Sequence, residues 1–168
     1  MYRKVLFSMI GLFFFALSYS NEQLKSDVKS GLSNIVELGA INLRQVKTAK
    51  DMPKEYLADI YAHNKDIMAG VQLELEGEDF TVLNVEGGRV GDNNFITHVG
   101  SKRGVILAFS MTGKMIAAID SIDQTKNTLF TLHFKKNVDG PSEFKMKALL
   151  ANKTGDKLDS NFIPFLID

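Results

Sequence analysis

The chain is 168 residues long, 45% hydrophobic and 24% charged, which suits one folded domain and excludes a disordered polymer. Twenty basic residues balance twenty acidic ones, so the clustered positive charge needed by nucleic acid or an anionic membrane surface is missing. There is no cysteine, which removes disulfides, thiol nucleophiles and thiolate metal ligands.

The N-terminus carries the strongest local signal. A basic start, Met1 to Lys4, leads into the apolar run Val5 to Leu17, and Ser18-Tyr19-Ser20 follows with small residues where a signal peptidase reads. At 1.5 Å per residue that run spans roughly 20 Å of helix, too short for a bilayer core of about 30 Å. Residues 1–20 are therefore expected to be a signal peptide cleaved before Asn21, and the protein to be secreted or periplasmic. Without that segment, which holds only Arg3 and Lys4 as charges, acids outnumber bases by two. Residues 21–34 are polar and weakly periodic, and read as a flexible leader.

From Ile35 onward the pattern becomes short segments of period two between turn residues, the mark of a sandwich or barrel. Expected strands run Ile35–Val46, Tyr56–His63, Ala69–Glu76, Phe80–Glu86, Phe95–Gly100, Gly104–Met111, Thr128–Lys135, Glu143–Leu150 and Phe162–Ile167. In Ala69–Glu76, Val71, Leu73 and Leu75 share one face, and Gln72, Glu74 and Glu76 the other. In Gly104–Met111, Leu107 and Phe109 are assigned to the core face, and Ile106, Ala108 and Ser110 to the outer one. Phe130, Leu132 and Phe134 form the inner row of the seventh segment. Lys114–Ile122 fits a short helix or a strand equally well. Pro164 cannot donate to a ladder, so the last segment is expected at a sheet edge, closing the sandwich or serving as a strand donated to another subunit. Nine such strands make two packed sheets in one domain, residues 35–168.

Four segments in order resemble the cohesin family of bacterial extracellular modules. Asp59–His63 with Ile67–Leu75 (DIYAH, IMAGVQLEL) is similar to the family's second and third strands, with their Ala-Gly-x-Gln pattern. Phe80–Val85 (FTVLNV) resembles the next strand, which leads to a Gly-rich loop, here Gly87-Gly88. Val105–Thr112 with Leu129–Phe134 (VILAFSMT, LFTLHF) resembles the paired core strands, and Lys147–Leu158 (KALLANKTGDKL) the closing hairpin. The resemblance covers nearly all of 35–167 and implies an all-β, nine-stranded jelly-roll β-sandwich. It also implies binding of a dockerin through one sheet face. Where the family carries a contact Asn and Asp, this chain has Gly70 and Gln72, so the face is implied and an ordinary dockerin is not.

No constellation for catalysis stands out. His63, His98 and His133 fall on separate strands, without a short ligand spacing between any two. Asp120, Asp123, Asp156 and Asp159 match no calcium loop, and Asp92-Asn93-Asn94 reads as a turn. Glu74 and Glu76 have the separation any alternating acidic strand gives, so they read as a solubilising face rather than a glycosidase pair. The sequence thus predicts an exported, non-catalytic binding module with no cofactor and no metal. Its expected partner is a protein, dockerin-like or another extracellular one, held by Gln72, Glu74, Ile106 and Ser110 on one exposed sheet. The alternative is a carbohydrate-binding module. With no Trp in the chain, its stacking residues would be Tyr56 and Tyr61.

Overall fold

The computed structural model describes residues 35–46, 52–100, 104–119, 121 and 123–168. The expected leader and its cleavage site lie outside these residues, as does Asp120.

Period-two patterning gives strands throughout. The first sheet is built from β1 (Val36–Val46), β2 (Glu55–His63), β4 (Phe80–Glu86), β7 (Thr128–Lys136) and β11 (Ser160–Phe162), in the order β11-β1-β2-β7-β4. The second holds β3 (Gly70–Leu75), β5 (Ile96–Gly100), β6 (Val105–Phe109), β9 (Met146–Ala151) and β10 (Lys157–Leu158), ordered β10-β9-β3-β6-β5. β8 (Ser142–Phe144) and β12 (Phe165–Ile167) pair as a small third sheet. All pairings are antiparallel except β1 with β11. The chain passes repeatedly between the two large sheets, which is the connectivity of a jelly-roll sandwich.

One core lies between the sheets. Leu38, Ala58, Ile60, Phe130, Leu132 and Phe134 from the first meet Val71, Leu73, Ile106, Ala108 and Leu150 from the second. The expected inner rows of β3 and β7 are those observed. At one end the core is aromatic. Phe144 on β8 packs on Phe134 and Phe165 at centroid distances of 4.7 and 4.9 Å, and on Phe80 at 5.1 Å. That one side chain ties the small sheet to the first large one. Lys136 closes the same end: its ammonium, buried with the residue, donates to the carbonyls of Ile167 and Gly140.

The structure divides two expected strands. The segment around Glu143–Leu150 breaks at Lys145 into β8 and β9, which join different sheets. The segment Phe162–Ile167 breaks at Ile163-Pro164 into β11 and β12, because proline offers no N–H to continue a ladder. β11 does sit at a sheet edge, whereas β12 is already paired with β8 inside the chain. With β10 the total among the described residues is twelve strands rather than nine. The described part of Lys114–Ile122 is neither helix nor strand, but an irregular stretch pinned by the bridge between Ile116 and Met68, both fully buried.

A short helix, α1 (Gly88–Asp92), takes the place of the Gly-rich loop expected at Gly87-Gly88. It lies against the start of β7. Gly88 has φ +59°, and a Cβ there would come within 2.6 Å of the Leu129 carbonyl oxygen. Only glycine meets both conditions. Leu129 itself is fully buried with the core, at the point where the β2–β7 register shifts between Ile60 and Tyr61.

Candidate docking face

The outer surfaces of the two large sheets differ in kind. On the first sheet, polar side chains satisfy one another. Asp59 accepts hydrogen bonds from Thr131 at 2.8 Å and Asn42 at 3.0 Å, and faces Arg44 at 3.6 Å. Burial alone would raise the Asp59 carboxyl, but these donors and the Arg44 charge outweigh it and hold it below the usual range. His133 Nε2 lies 2.8 Å from Glu55. Tyr61 donates to Glu37 at 3.2 Å, and its ring lies over Gly39, its cross-strand partner, where a Cβ would meet the phenol oxygen at 2.7 Å. Desolvation, reinforced by the Glu37 charge, pushes the Tyr61 hydroxyl up to about 12. These groups are committed to each other.

On the second sheet the outer rows are largely apolar. The registers place Ala151, Gly70, Phe109 and Ile96 side by side across four strands. The next row is Leu149, Gln72, Leu107 and His98, and the third is Lys147, Glu74, Val105 and Gly100. Ile96 and Leu149 are 49% exposed and Phe109 41%, so three large hydrophobic side chains stand in solvent on one face. Contiguous exposed apolar residues with a sparse polar frame are the composition of a specific protein interface. Glu76, just past β3, pairs with Lys145 at 3.2 Å and Lys147 at 3.7 Å, which fixes charge at one margin.

The sequence-predicted contact residues divide accordingly. Gln72 and Glu74 lie on this face, half-buried. Ser110 follows β6 and spends its hydroxyl on the turn, accepting from the Lys114 amide at 3.0 Å. Ile106 is fully buried in the core, because pairing with β3 sets it opposite Leu73. The expected phase of β6 is therefore reversed: Leu107 and Phe109 point outward, Ile106 and Ala108 inward. Sequence reasoning missed Ile96, Leu107, Phe109 and Leu149. β6 is apolar on both faces, so alternation within it carries no phase. The polar row of β3 beside it held the signal.

Tyr56 and Tyr61 do not form a stacking platform. Tyr56 is 5% exposed, stacked on Phe134 at 5.7 Å with its hydroxyl donating to the Asp168 carbonyl at 3.2 Å. Tyr61 is 3% exposed beneath its Glu37 contact. Neither ring is open to a sugar.

The remaining polar groups build structure. Arg89 on α1 donates to the carbonyls of Ala62, at 3.0 Å, and Ala117, while Asn64 Nδ2 donates to Ala117 and Asp66. These bonds fasten the 117 region to the end of β2. Burial lowers the Arg89 guanidinium from its ordinary value. Asp123 and Asp156 sit in turns, where hydroxyl donation from Thr125 and Thr154 respectively lowers each carboxyl. Among the described residues no three His, Asp or Glu side chains gather closely enough to hold a metal ion. No helix among them is long and apolar enough to cross a membrane.

Solved structures with this arrangement are cohesin domains. A non-cellulosomal cohesin from the archaeon Archaeoglobus fulgidus superposes with a TM-score of 0.51 at 11% identity, covering 79% of this chain and 88% of its own. The fold is cohesin-like. A type I cohesin from Clostridium thermocellum, solved in a cohesin–dockerin complex, gives 0.51 at 13% identity over 78% of this chain and 90% of its own. The sixth cohesin of the Acetivibrio cellulolyticus scaffoldin B, solved with a dockerin, gives 0.50 at 10% identity over 80% and 98%. No family model matches the sequence, and no curated protein does. What is shared with these cohesins is the backbone arrangement, at identities too low to carry side-chain chemistry across.

Proposed function

We propose that this protein is an exported, non-catalytic docking module that holds a partner protein against the outer face of its second sheet. The observation that carries the reading is the exposed apolar set Ile96, Phe109 and Leu149, framed by Gln72, Glu74 and Lys147 on neighbouring strands. Two of the solved cohesins with this fold are complexed with dockerins. Gly70 and Gln72 stand where that family's contact Asn and Asp are expected, so the partner here presents an apolar surface in place of one built around two polar anchors. Export follows from the basic start and short apolar run of residues 1–20. The stacking residues expected for a polysaccharide ligand, Tyr56 and Tyr61, are both buried.

The test is capture of the partner from the producing cell's own secretions, followed by titration of the purified pair. Leu149→Asp and Phe109→Asp should each weaken binding by about 2 kcal/mol or more, near thirtyfold, as truncation of a central anchor does. Glu37→Lys, on the opposite sheet, should leave it unchanged. Undiminished binding by both apolar-face variants would overturn the reading, as would hydrolysis of an ester or glycoside by the purified protein.

A further inference from the structure

A sheet that ends in an open strand offers unpaired N–H and C=O groups to any other strand, and folded proteins usually blunt such edges. Three of the four edges of the two large sheets are blunted. β11 is three residues long, and the stretch of β1 beyond it carries a register break at Ile41/Arg44 with Asn42 at φ +53°. β4 has a break between Val82 and Asn84. β10 is two residues long and contains Lys157. β5 is different. Its five residues, Ile96-Thr97-His98-Val99-Gly100, pair with β6 without a break and include no proline, lysine, arginine or acid. Thr97 belongs to the core-facing row opposite Ala108 and is still exposed, so among the described residues the free side of the strand is open at Thr97. β4 comes alongside without joining its ladder.

We propose that β5 is a homodimerisation edge, pairing antiparallel with β5 of a second copy about a two-fold axis at His98. The strand is complementary to itself. Antiparallel pairing centred there sets bulky Ile96 opposite Gly100 of the second copy, and Thr97 opposite Val99, so large meets small and β-branched meets β-branched. The carboxylate or ammonium that would face its own image across a two-fold is absent from the strand. The two second sheets become one continuous ten-stranded sheet, and each Phe109–Ile96 row runs on into the other copy. An isologous contact of this kind closes at two copies and does not propagate. It is separate from the partner-docking reading and stands if that reading falls.

Sedimentation of the purified full chain over a wide concentration range tests it, joined to hydrogen exchange at β5. Wild type should pass from monomer to dimer, with protection of β5 amides rising as it does. Thr97→Lys places a charge on the edge where a second strand would bury it, and should weaken the dimer about tenfold or more. Thr97→Val should keep it. Leu149→Asp, on the docking face, should not change it. A wild type monomeric at every concentration overturns the proposal, as does a dimer lost on Leu149→Asp or retained by folded Thr97→Lys. If Thr97→Lys fails to fold, the wild-type exchange decides: association without new protection at β5 sinks the proposal.

Discussion

A single carboxylate shows how the polar face of the first sheet is held. Asp59 is ionised among Thr131, Asn42 and Arg44, with its carboxyl held below the ordinary value near 3.9. A lowered acid contributes stability that is complete above the unfolded value and disappears as pH falls through the folded one. Melting temperature should therefore hold from pH 6 down to about 4 and then decline. Asp59→Asn keeps an acceptor for Thr131 but has no charge to lose, so its decline below pH 4 should be shallower. It should not vanish, because Asp123 and Asp156 are lowered too. Parallel acid limbs in the two proteins would show that the Asp59 cluster carries no linkage. The sequence contains all four residues of this cluster and no sign that they meet. They come together only through the β1–β2–β7 register and the bulge in β1.

At the scale of elements, sequence and structure agree where one face of a strand is polar. β3 and β7 show their inner rows plainly, since Gln72, Glu74, Thr131 and His133 mark the outside. They diverge at β6, whose outer face carries Leu107 and Phe109. β6 lacks a polar row because its outer face is itself apolar, so the illegible phase and the candidate site have one cause. The helix α1 was hidden differently, as a Gly-Gly pair that reads as a turn. Gly88→Ala should cost about 2–4 kcal/mol by chemical denaturation, combining an unfavourable left-handed residue with a clash against the β7 backbone. Gly91→Ala, one turn on in the same helix, meets nothing within 4 Å and should be neutral or slightly stabilising. Equal losses from both would mean that α1 docks on β7 in some other way.

For the molecule as a whole, the asymmetry between the two sheet surfaces separates stability from binding. The core is complete without the outer rows of the second sheet, since Val71, Leu73, Ile106, Ala108 and Leu150 all face inward. Ile96 and Leu149 each leave about half of their surface in water. Replacing them with lysine should shift unfolding free energy by no more than about 0.5 kcal/mol each, the usual range for surface sites. Ile106→Lys, one strand away with the opposite orientation, buries an unpaired ammonium and should unfold the domain. The apolar outer face should also bind a fluorescent hydrophobic dye in the native state, and the Ile96→Lys, Leu149→Lys double variant should lose that signal with its melting temperature intact. A double variant that melts many degrees lower would mean that these side chains serve the fold. Those leucine and isoleucine positions would then be an extension of the core rather than a surface kept for another chain.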